Sequence, residues 1–116
     1  MEASFTKTAD DVVAGIALIR DGAPATMKAF GSLAMAATTA NALDTKTKEL
    51  MALAISIAVR CGGCVAYHTR AAMKAGASRQ ETAETVALAV YMGGGPAAVY
   101  GADALRAFDE YAGLGG

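Results

Sequence analysis

Lys48-Glu49-Leu50-Met51-Ala52-Leu53-Ala54-Ile55-Ser56-Ile57-Ala58-Val59-Arg60, followed at once by Cys61-Gly62-Gly63-Cys64-Val65-Ala66-Tyr67-His68, is the stretch on which the reading of this chain turns. Leu50, Leu53, Ala54, Ile57 and Ala58 recur at helical spacing and mark a buried stripe. Asp44 stands where an N-cap belongs, and the pattern stops near Arg60, where Cys61-Gly62-Gly63-Cys64 interrupts it. A second helix begins inside that interruption and continues to Ala75, with Gly76 as a suitable residue just past its end. The charge-free run Leu50–Val59 is ten residues long, about half of what a membrane span requires, so it reads as a buried core helix.

Working outward, the other helices follow from their stop and start signals. The first is expected over Ala9–Arg20, capped by Thr8 with Asp11 in its first turn. Asp21-Gly22-Ala23-Pro24 reads as a turn, and Pro24 suits the first position of the next helix. That helix carries Met27, Phe30, Leu33 and Ala37 on one face and fades through Thr38-Thr39-Ala40-Asn41. Ser78-Arg79-Gln80-Glu81 is a capping box opening a fifth helix in which Val86, Leu88, Ala89 and Val90 are expected to be largely buried. Gly93-Gly94-Gly95-Pro96 breaks it, and Pro96 opens a last helix through Val99, Tyr100, Leu105 and Phe108. The tail from Gly113 to Gly116 is expected to fray. No segment alternates polar and apolar residues as a strand would. The prediction is an all-α fold of about six helices, a single domain over 1–116 with its core at 40–100.

Composition agrees with that fold and excludes several functions. Of 116 residues, 29 are alanine, the residue that loses least on entering a helix. Hydrophobic residues make up 54% and charged residues 18%, which rules out disorder. Ten basic against eleven acidic residues give a formal charge of -1, so no basic field draws in nucleic acid or an anionic membrane. A chain this short and apolar cannot hide its surface alone, and a homo-oligomer is the simplest remedy. The first residues, Met1-Glu2-Ala3-Ser4-Phe5-Thr6-Lys7, lack the basic and apolar regions of a secretory signal. A cytoplasmic location is expected, where thiol chemistry or metal binding is commoner than a permanent disulfide.

The chemistry is concentrated. Cys61 and Cys64 are the only cysteines and His68 the only histidine. With a helix starting near Gly62, the two sulfurs lie about one turn apart at its N-terminus and can meet in a disulfide. The positive end of the helix dipole favours a thiolate there. His68 follows Cys64 by four residues and shares its face, where an imidazole can take the thiol proton. The midpoint of residues 49 and 68 falls at the turn, so an antiparallel hairpin sets Glu49 opposite His68, able to orient the ring as the third member of a triad does. Two other readings stay open. The CxxC could be accidental or a metal half-site, since Cys61, Cys64 and His68 supply three ligands and Glu49 a fourth, although no second CxxC or distant histidine exists. His68 and Glu49 could be a core histidine and a solvated first-turn acid.

The order Glu49, eleven residues, Cys61-Gly-Gly-Cys64, three residues, His68 resembles the alkylhydroperoxidase D-like group of the carboxymuconolactone decarboxylase superfamily. Lys48-Glu49-Leu50-Met51-Ala52-Leu53-Ala54 before the cysteines, and Ala75-Gly76-Ala77-Ser78 and Glu81 through Ala89 after them, extend the likeness over about residues 40–100. The resemblance implies an all-helical trimer or hexamer and a thiol-dependent peroxidase or disulfide reductase. It assigns Cys64 as the peroxide-reacting cysteine, Cys61 as proton donor and resolving partner, and His68 with Glu49 as the proton relay. A hydroperoxide would be the substrate, and a small dithiol or a lipoyl- or thioredoxin-like protein the reductant; no bound cofactor is required. The decarboxylase branch typically lacks the CxxC, so its presence argues against lactone decarboxylation. The chain departs from the two-repeat members in its length, and the bare Gly62-Gly63 spacer points to a looser cysteine turn.

Overall fold

The computed structural model describes residues 4–113. They form six helices and, among the described residues, no strand: α1 (Phe5–Gly22), α2 (Pro24–Thr38), α3 (Thr45–Ala58), α4 (Gly62–Lys74), α5 (Arg79–Gly93) and α6 (Gly95–Tyr111). The expected all-α architecture is the observed one. Most of the expected fraying tail, from Leu114 onward, lies outside the described residues.

The α3–α4 hairpin is the centre of the molecule. α3 packs on α4 and α5, and α6 closes the layer against α4 and α5, while α1 lies along α4 and carries α2 outward. Leu53, Ile57, Val65, Val86, Ala89, Ala97 and Ala104 form the core cluster. Three of these seven are alanine, all on α5 and α6, which lets those helices approach closely. At Gly101 an added Cβ would come within 2.6 Å of a Val86 methyl, so α5 and α6 meet there nearly backbone to side chain.

The caps explain most boundaries. Asp44 accepts the Thr47 N–H, and Ser78 with Glu81 forms the complete capping box. The first helix differs from expectation. It begins at Phe5, because Ser4 accepts the Lys7 N–H as the N-cap, and Thr8 lies inside the first turn with its hydroxyl donating to the Ser4 carbonyl. A long-range partner secures this start: the Glu110 carboxylate accepts the Thr6 N–H at 2.6 Å and the Thr6 hydroxyl at 3.0 Å. Next to it, the Tyr111 hydroxyl lies 2.8 Å from the Ala66 carbonyl and 3.1 Å from the Phe5 carbonyl, and burial pushes its phenol up to about 12. The end of α6 therefore fastens α1 to α4.

Two further expectations are corrected. Ala58, placed in the α3 stripe, is exposed at the end of its helix. Leu88 is 61% exposed, not buried, because α5 turns only its Thr82–Val86–Ala89 face to the core. The expected four-residue breaks are also tighter. Only Ala23 separates α1 from α2, and only Gly94, at φ +73°, separates α5 from α6. α2 has no buried residue at all; Phe30 and Leu33 are 54% and 64% exposed.

Candidate active site

The site is built where α3 ends and α4 begins. Backbone bonds run from the Cys61 N–H to the Ser56 carbonyl and from the Arg60 N–H to the Ile57 carbonyl. This paired arrangement closes a helix whose next residue is left-handed. The left-handed residue is Arg60, at φ 61°, the one non-glycine residue with positive φ among those described. Cys61 then serves a second helix. It is the N-cap of α4, its sulfur accepting the Cys64 N–H at 3.2 Å. One residue thus ends the closing motif of α3 and opens α4, which fixes the hairpin.

Cys61 and Cys64 are joined as a disulfide, with their Cα atoms 5.2 Å apart. The turn is not loose. A Cβ on Gly63 would lie 2.9 Å from a methyl of Val12, so α1 rests directly on this glycine, whereas Gly62 faces open space. The bare spacer therefore marks the place where another helix presses against the backbone.

Glu49 and His68 meet as the hairpin register requires: Glu49 Oε1 is 3.0 Å from His68 Nδ1. Glu49 is 8% exposed in a stripe with Leu53 and Ser56. The imidazole keeps about a quarter of its side-chain surface open, at 28%. With Nδ1 directed at the carboxylate, Nε2 remains the nitrogen able to exchange a proton with a third group. Among the described residues no hydrogen bond links the ring to either sulfur of the disulfide; what the fold brings together is the carboxylate–imidazole pair, with Cys64 one helical turn before the ring on α4. Tyr67 packs edge-on against His68, ring centroids 5.1 Å apart.

Val12, Tyr67 and the backbone of Arg60 are parts of this site that the residue pattern did not single out. Only Val12 had a signal, the glycine spacer it presses on. Adjacent residues on a helix do not ordinarily face each other, which hides Tyr67. No group of three or more Cys, His, Asp or Glu among the described residues is placed to hold a metal ion, and no helix among them is long and apolar enough to cross a membrane.

Comparison with known proteins places this geometry in a known lineage. Residues 24–107 match the model of the carboxymuconolactone decarboxylase family. The chain is 44% identical to a solved carboxymuconolactone decarboxylase family protein of Legionella pneumophila, covering 97% of each chain with a TM-score of 0.88. It is 32% identical to a solved family protein of Thermotoga maritima, suggested to be involved in an antioxidative response, over 77% of this chain and 76% of that one, TM-score 0.71. An uncharacterized protein of Cupriavidus necator is 42% identical over 86 residues, 74% of this chain and 76% of that protein.

Proposed function

This chain belongs to the carboxymuconolactone decarboxylase family, and from that premise we propose that it is a thiol-dependent peroxidase acting through Cys61 and Cys64. The observation that carries the reading is the Glu49–His68 contact of 3.0 Å on the same hairpin that holds the cysteine pair. The suggested antioxidative involvement of the Thermotoga maritima protein supports it.

In the reduced protein, Glu49 orients His68, and the imidazole takes the Cys64 proton. The thiolate attacks the terminal oxygen of a hydroperoxide. The O–O bond breaks, an alcohol leaves with the proton of Cys61, and Cys64 becomes a sulfenic acid. Cys61, now a thiolate, attacks the Cys64 sulfur. Hydroxide leaves as water with the proton held on His68, and the disulfide of the structure results. Two thiols of a small dithiol, or of a lipoyl- or thioredoxin-like protein in a reducing cytoplasm, supply the two electrons that restore the pair.

Cys64 is assigned as nucleophile because it lies within the first turn of α4, where free N–H groups and the helix dipole solvate a thiolate, and one turn from His68. Cys61 already accepts the Cys64 N–H as a cap, which suits the resolving role. We extend the proposal to a homo-oligomer, trimeric or hexameric, in which the exposed apolar face of α2 meets another copy.

The test is peroxidase turnover of wild type beside Cys64→Ser with several dithiols, together with brief peroxide treatment of Cys61→Ser and a dimedone-type probe. Turnover lost in Cys64→Ser and a sulfenic acid on Cys64 in Cys61→Ser are expected. Turnover that survives Cys64→Ser, or a sulfenic acid formed on Cys61 at a comparable rate, overturns the assignment.

A further inference from the structure

The residue immediately before the disulfide has an unexpected identity. Position 60 is left-handed, at φ 61°, a conformation that glycine adopts freely and any residue with a Cβ adopts at a steric cost. Glycines occupy every other positive-φ position among the described residues, Gly76, Gly94 and Gly113. Two more glycines, Gly62 and Gly63, follow within three residues at places where φ is not positive. The chain therefore has glycine beside the strained position but arginine in it. Backbone strain retained in this way is characteristic of functional sites.

Arg60 is exposed, and no carboxylate among the described residues forms an ion pair with it, whereas Lys7, Lys46, Arg70, Arg79 and Arg106 are each paired; Arg20, Lys28, Lys48 and Lys74 likewise form no ion pair among the described residues. Its place sets it apart from the other unpaired cations: Arg60 is the residue next to Cys61, from which a flexible side chain can reach the disulfide, at the end of α4 where the helix dipole is also positive.

We infer that Arg60 is a specificity-determining residue that draws an anionic thiol reductant onto the Cys61–Cys64 disulfide. The inference rests on the thiol-redox reading above and names the charge class of its reductant. The chemistry is ordinary exchange. A reductant thiolate attacks one sulfur of the disulfide, the S–S bond breaks, and the electron pair leaves on the other cysteine, which takes a proton. A second reductant thiolate attacks the reductant sulfur of the mixed disulfide, releasing the second cysteine as a thiol and the oxidised reductant. Arg60 acts only on the encounter, by holding the reductant's negative group.

Two small thiols that differ in charge provide the probe. The rate of appearance of free protein thiols is measured with 2-mercaptoethanesulfonate, which is anionic, and with 2-mercaptoethanol, which is neutral, each normalised to its thiolate concentration. One unit charge about 7 Å away in water changes such a rate about threefold. The anionic-to-neutral ratio should fall about threefold in Arg60→Gly and Arg60→Gln, and stay near wild type in Arg60→Lys. It should also fall in wild type at about 1 M salt, where the screening length is about 3 Å. Arg20→Gln is the charge control, since Arg20 is eight residues along α1 from Val12, about 12 Å, and should leave the ratio unchanged. Arg60→Gly relieves the left-handed strain, so misfolding does not confound the result; its melting midpoint should be no lower than wild type. An unchanged ratio in Arg60→Gly and Arg60→Gln, or an equal fall in Arg20→Gln, overturns the inference while leaving the peroxidase reading intact. A disulfide that neither these thiols nor an excess of a small dithiol reduces sinks both.

Discussion

Val12 of α1 fills the space that a side chain on Gly63 would need: the separation would be 2.9 Å. This relationship couples the first helix to the cysteine turn. Because Val is stiff about χ1, Gly63→Ala should destabilise the protein by about 1 kcal/mol through overpacking. Gly62→Ala, in open space at the first position of α4, should be neutral or stabilising by up to about 1 kcal/mol. Combining Gly63→Ala with Val12→Ala should cost less than the sum of the two single changes. Urea denaturation of the four variants decides it, and equal effects at Gly62 and Gly63 would refute the contact.

The proton relay should behave as a unit. Glu49→Gln and His68→Gln are each expected to slow peroxide-driven disulfide formation by about 100-fold, the usual reach of a lost general acid–base partner. The double variant should be little slower than either single one, since Glu49 acts through His68. Stopped-flow measurement of thiol loss gives the rates. Multiplicative effects would show that the two side chains act separately.

Cys61 has a structural duty that its redox partner lacks. Its sulfur caps α4 by accepting the Cys64 N–H. Under reducing conditions Cys61→Ser should therefore be more stable than Cys61→Ala by about 1 kcal/mol, the usual worth of a hydroxyl cap. Thermal melts in excess dithiol would show it, and equal melting points would contradict the capping role.

Acid should loosen the α1–α6 junction. The Thr6 N–H bond holds the Glu110 carboxyl below its ordinary value of 4.5. A depressed carboxylate contributes its stability above the unfolded value and loses it as pH falls through the folded one. The melting temperature of wild type should thus drop below about pH 4.5, and Glu110→Gln should be less stable at neutral pH with a shallower drop over the same range. A Glu110→Gln curve parallel to wild type would locate the acid sensitivity elsewhere.

The hairpin was legible because its signals are local. Helical spacing from Leu50 to Ile57, the Asp44 and Ser78 caps and the midpoint rule that pairs Glu49 with His68 each rest on residues close in the chain or joined by one short turn. What escaped depends on distant partners. Ser4 and Thr8 are equally local caps for α1, and the choice of Ser4 is secured by Glu110, 104 residues from Thr6, which nothing near Thr8 reveals. Leu88 has the right spacing for a buried face, yet periodicity says which residues share a face and not whether a neighbouring helix covers it. At Arg60 the difficulty is reversed: a left-handed helix end is ordinarily signalled by glycine, and here the signalling residue is displaced.

The exposed second helix makes secondary structure a question of mass action. α2 has 15 residues and buries none of them, and an isolated helix of that length is marginal in water. In the homo-oligomer proposed above, its order is then bound to association, because a partner that binds only the folded form stabilises it with the logarithm of its concentration. Amide exchange in α2 should accelerate on dilution while α3 and α4 stay protected, and α2 exchange that is independent of dilution would refute association through this helix.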